Sequence, residues 1–161
     1  MRKQWKTREA KPEGERRWKF MALSQGQARA RTFNDQYVLI SIQDPEEPLV
    51  ELPEPPNCCG ILRLQFDDID SRHNGMILFS HEQAHQILDF VHEHRDEASV
   101  IACHCKMGMC RSPGVVGALA VVMNQDTGFL LDTRGRPRYR PNRHVHETLV
   151  QEGRKHWLSQ L

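Results

Sequence analysis

His104-Cys105-Lys106-Met107-Gly108-Met109-Cys110-Arg111-Ser112-Pro113 is the stretch on which the reading of this chain turns. Upstream lies a short apolar run, Ser99 to Cys103, of the kind that forms a buried parallel strand. Downstream, Pro113 sits where proline suits the first turn of a helix, and the apolar residues continue to Met123. A strand, a glycine-bearing loop and a helix start, in that order, make a cradle for an anion. Loop N–H groups can turn inward, and the helix N-terminus adds positive potential. The same field favours a thiolate over a thiol at a cysteine placed there. Arg111 adds a planar fork that can grip two phosphoryl oxygens, which lysine cannot. A cysteine with an arginine six positions on is commonplace by itself. Adding His104, Gly108 and Ser112 lowers the chance expectation to less than about one in ten thousand for this composition.

Working outward, strands alternate with helices. Trp18 to Leu23 is a candidate first strand, and Tyr37 to Ile42 is a β-branched and aromatic second. Five prolines between Asp44 and Asn57 demand a loop. Cys59 to Phe66 alternates as a strand, and Asp67 to Gly75 is polar, ending in an Asn-Gly turn. Ser80 with Gln83 forms a capping box, followed by Ala84, Ile87, Leu88 and Val91 on one helical stripe. After the helix through Met123, a polar loop leads to a last helix starting near Asn142, with Val145, Leu149 and Leu158 expected towards the core. No internal repeat appears. The class expected is α/β: one domain over residues 18–161, with a mainly parallel sheet flanked by helices.

At this point the chain resembles the cysteine-dependent protein tyrosine phosphatases, in particular the small dual-specificity type and its bacterial or phage relatives. The family loop His-Cys-x-x-Gly-x-x-Arg-Ser/Thr is matched at His104, Cys105, Gly108, Arg111 and Ser112. The resemblance extends over roughly residues 18–158. It takes in the strand ending Leu64-Gln65-Phe66-Asp67-Asp68, similar to the family's general-acid strand, and a Pro141-Asn142 segment opening the last helix. It implies a phosphatase in which Cys105 attacks phosphorus and an aspartic acid protonates the leaving oxygen, then activates water against the phosphocysteine. Lys106, Met107, Gly108, Met109, Cys110 and Arg111 would form the phosphate-binding loop, Ser112 would steady the departing thiolate, and His104 would orient the loop. Neither metal nor cofactor is implied. Aligning the strand puts Asp68 in the acid's role; Asp70 stays open as the alternative, and Asp67 is a third carboxylate nearby. The substrates implied are phosphorylated proteins, through phosphotyrosine and also phosphoserine or phosphothreonine, or else small phosphates, RNA 5′-ends and phosphoinositides. A non-catalytic phosphate-binding module is the remaining alternative.

Composition sets the bounds. With 161 residues, 39% hydrophobic and 27% charged, the chain can bury a modest core, which excludes wholesale disorder. No apolar run is long enough to span a membrane and no signal-peptide stretch opens the chain, so a cytoplasmic location is expected. The net charge of +1 is uneven. Residues 1–31 carry about +7 and the remainder about −6, so residues 1–17 read as a basic arm suited to an acidic partner. Arg134, Arg136, Arg138, Arg140 and Arg143 form a second basic stretch, either an exposed loop or the rim of an anion site. Cys58, Cys59, Cys103 and Cys110 read as buried or half-buried thiols, one of which could form a reversible disulfide with Cys105. His81-Glu82-Gln83-Ala84-His85 matches the zinc-protease pattern. However, Ser80 as cap leaves His81 in a fraying first turn, and Val91 stands where one branch of that class has a third histidine. Both histidines are therefore expected at a surface helix start, without zinc.

Overall fold

The computed structural model describes residues 17–158; the basic segment before Arg17 lies outside them. Four parallel strands, β1 (Lys19–Ser24), β2 (Tyr37–Gln43), β3 (Cys58–Gln65) and β4 (Val100–Cys105), form one sheet in the order β1-β4-β2-β3. The two inner strands, β2 and β4, are buried at every position, which explains why both are predominantly apolar. Their side chains alternate between two cores. Val38, Ile40, Ile42, Ile101, Cys103 and Cys105 pack into the larger one, whereas Tyr37, Leu39, Val100 and Ala102 join Leu23 and Ala28 in a smaller one.

The larger core is covered by α2 (His81–Glu93), α3 (Arg111–Val122) and α4 (Arg143–Leu158), and the smaller by α1 (Gln25–Ala30). In α2 the stripe Ala84, Ile87, Leu88 and Val91 is buried, and the Ser80–Gln83 capping box forms in both directions. α3 starts two residues before Pro113, at Arg111, and is buried through Ala120. Its interior placement accounts for the apolar sequence that follows Ser112. α1 is a short helix the apolar pattern does not announce. It is fixed by a second capping box, Ser24 with Gln27, of the same Ser-x-x-Gln form as the one on α2. The result is an α/β domain with a four-stranded parallel sheet between helices. No helix among the described residues is long and apolar enough to cross a membrane.

Candidate active site

β4 ends at Cys105 and α3 begins at Arg111, so residues 106–110 make the turn between the central strand and the buried helix. Gly108 has φ +72°, and a Cβ there would come within 2.6 Å of the Ser24 backbone nitrogen. The loop is thus pressed onto the β1–α1 junction, where the Gln25 N–H donates to the Lys106 carbonyl at 3.2 Å. Only glycine meets both requirements.

The Cys105 thiol is buried and lies 3.4 Å from the Ser112 hydroxyl, itself 3.4 Å from the Leu23 carbonyl. His104 points to the opposite face of the sheet. Its Nε2 is 2.6 Å from Ser41 Oγ on β2, and its Nδ1 is 3.4 Å from the Cys105 carbonyl. Burial holds the imidazole below its ordinary pKa, against the partial support of the Cys105 carbonyl, with Arg63 and Arg111 lowering it further. Both ring nitrogens are engaged, Nε2 tying β4 to β2 through Ser41.

Arg111 is almost wholly buried. Its Nη1 donates to Asp44 Oδ1 at 2.7 Å and to the Phe66 carbonyl at 2.8 Å. Asp44 opens the proline-rich loop after β2, which is strapped to the sheet. Gln43 bonds Pro48 and Val50, Gln65 reaches the Glu47 carbonyl, and Arg63 donates to the Val50 carbonyl. The same strap carries Glu47, which pairs with Lys106 at 3.1 Å and raises the lysine's pKa. The two cations of the 105–111 loop therefore each have a carboxylate from one strap. Sequence reading missed Asp44 because a carboxylate in a polar loop carries no mark of its partner, 67 residues away. Ser41 escaped notice similarly, since its meaning depends on strand register with His104.

The three candidate acids separate cleanly. Asp67 closes its own loop, accepting from the Ile77 N–H at 2.7 Å. Asp70, exposed as Asp68 also is, lies within electrostatic reach of Arg143. Asp68 turns towards the 105–111 loop. Its Oδ1 accepts from the Asn142 amide at 2.9 Å, and the carboxylate is near enough to the Cys110 thiol that the thiol's pKa is raised first by burial and then by Asp68. Cys103 is fully buried, which pushes its thiol up as well. All five cysteines are free.

The basic stretch divides. Arg136 pairs with Asp132, and Arg143 with Glu147. Between them, the Arg140 N–H donates to the Met109 carbonyl and the Asn142 N–H to the Cys110 carbonyl, so residues 140–142 run along the loop. His81 is exposed and His85 half-buried, but neither is solitary. Glu152 of α4, itself nearly buried, accepts from both, at 2.8 and 2.5 Å, and His156 contacts His85 at 2.8 Å. Among the described residues, no group of three or more His, Cys, Asp or Glu is laid out to hold a metal ion.

No family model matches the chain, and no curated protein matches its sequence. Among solved structures, the chain is similar to a crystal structure of PTPMT1 in complex with PI(5)P. The TM-score is 0.56 at 14% identity, over 89% of this chain and 95% of that one. What this likeness establishes is the fold: this chain is built on the same α/β architecture as a protein tyrosine phosphatase-like phosphatase.

Proposed function

We propose that the protein hydrolyses phosphate monoesters through a phosphocysteine, acting on phosphotyrosine in proteins and also on phosphoserine or phosphothreonine. The observation that carries this reading is the pairing of a buried thiol, Cys105, with a buried guanidinium, Arg111, at the two ends of one strand–loop–helix turn. Arg111 is aimed by Asp44 and the Phe66 carbonyl. A buried cation and thiol at a helix start suit an anionic electrophile.

In the first step the Cys105 sulfur forms a bond to phosphorus while the P–O bond to the leaving group breaks, and the Asp68 carboxyl gives its proton to the departing oxygen. In the second, Asp68 takes a proton from water as the water oxygen attacks phosphorus. The S–P bond breaks, inorganic phosphate leaves, and Ser112 donates to the returning thiolate. Arg111 and the loop amides of residues 106–110 stabilise the equatorial oxygens in both transition states.

Cys105→Ser tests the nucleophile: turnover is expected to vanish while binding of a phosphate analogue persists. Wild-type turnover in that variant would overturn the mechanism. A panel of phosphotyrosine, phosphoserine and phosphothreonine peptides, beside inositol lipids and triphosphorylated RNA, tests the substrate. Phosphoinositides form the second reading, favoured by exposed Arg140 beside the loop and by the PI(5)P in the similar structure. Analogue binding without turnover on any substrate would instead identify a phosphate-binding module. The five free thiols suit a reducing compartment, and we assign the protein to the cytoplasm, with the basic arm of residues 1–17 meeting an acidic partner.

A further inference from the structure

We infer that Asn142 is the positioning residue for the general acid, holding Asp68 against the catalytic loop; this rests on the proposed role of Asp68. Every polar group of Asn142 is committed. Its Oδ1 accepts from the Val145 N–H at 3.0 Å, capping α4. That assignment fixes which way the amide points, because the helix end offers a donor and needs an acceptor. The NH2 group must therefore face the acid loop, where it donates to Asp68 Oδ1 at 2.9 Å and to the Ile69 carbonyl at 3.0 Å. The Asn142 backbone N–H is bonded to the Cys110 carbonyl at 2.8 Å. One buried residue thus ties three parts that must act together: the acid, the loop holding the phosphoryl group, and the start of α4. Asp68 Oδ1 is thereby committed to the Asn142 amide, which fixes the carboxyl's orientation. Two residues further on, His144 Nε2 bonds the Phe79 carbonyl at 2.8 Å, so α4 also holds the far end of the acid loop.

Asn142→Ser separates capping from positioning, since serine caps as well as asparagine but is too short to reach Asp68 and the cap together. The expected result is a loss of roughly 10- to 100-fold in kcat on tyrosyl or alkyl phosphates, as for a catalytic group held out of line. Activated aryl phosphates, whose oxygen departs without a proton, should fall far less, and the melting temperature should stay near wild type. In an Asp68→Asn background the same substitution should add little. Asn142→Asp keeps the cap but sets a carboxylate against Asp68, so the basic limb of the pH–rate profile should move to higher pH. Equal losses on all substrates, or full additivity with Asp68→Asn, would overturn the inference. If Asp68→Asn itself shows no leaving-group dependence, the acid assignment fails and this inference with it. Alkylation of Cys105 by iodoacetate, blocked by phosphate, would show that the nucleophile reading survives that failure.

Discussion

At the scale of single residues, the site depends on positions where chemistry and packing coincide. Gly108→Ala meets both a left-handed backbone and a contact 2.6 Å from the Ser24 nitrogen. It should cost about 1–3 kcal/mol of stability and remove activity, read by urea unfolding beside turnover. Asp44→Asn keeps a hydrogen-bond acceptor for Arg111 but deletes the charge. The guanidinium, still anchored at the Phe66 carbonyl, should lose its fixed aim, with kcat/KM falling about 10-fold or more. Unchanged kinetics would show that the Phe66 carbonyl alone sets the arginine. Cys105, Arg111 and Gly108 were legible because their spacing within one turn is set by local geometry. Asp44 and Ser41 were not, since each gains its role from a partner more than 60 residues distant.

At the scale of elements, helix ends and seams carry the stability. Ser80→Ala removes the capping box of α2, including the bond to the Gln83 N–H at 3.1 Å. It should lower stability by about 1 kcal/mol, read as a fall in the urea midpoint at unchanged slope. The seam between α3 and α4 is closed at Gly153, where a Cβ would stand 2.4 Å from Val122 Cγ2. Gly153→Ala should therefore destabilise by about 1–3 kcal/mol, and Val122→Ala in the same chain should recover part of that loss. Both capping boxes were written in the sequence as Ser-x-x-Gln, yet only the one before an apolar stripe drew notice. α1 has no such stripe; its buried residue is Ala28 alone. The seam at Gly153 could not be read at all, because nothing in a lone glycine names the helix that will approach it.

At the scale of the whole molecule, Glu152 joins α2 to α4 from a nearly buried position. Burial alone would raise its pKa, but donation from His81, His85 and Lys155 outweighs it and holds the carboxyl at about 2, against 4.5 when unfolded. A depressed folded pKa contributes stability above the unfolded value, and that contribution is lost as pH falls from about 4.5 towards 2. The contribution is on the order of 3 kcal/mol. Glu152→Gln should flatten the acid limb of stability against pH in that window. An unaltered acid limb would place the acid sensitivity elsewhere.

The pattern His81-Glu82-Gln83-Ala84-His85 shows where sequence and structure part company. Sequence put both histidines at the first turns of a helix, as the structure does, but made them plain surface residues; tertiary packing brings Glu152 between them from 67 and 71 positions away. What the sequence determined by itself was periodic or local: the alternation of strands and helices, the buried runs of β2 and β4, and the loop from Cys105 to Arg111. These follow from spacing along the chain, which backbone geometry converts directly into direction. The tertiary structure decided the rest: which aspartate faces the loop, what aims Arg111, and what holds α2 to α4. Those contacts join residues far apart in the chain, and only the sheet order and the docking of three helices on one of its faces bring them within hydrogen-bond reach.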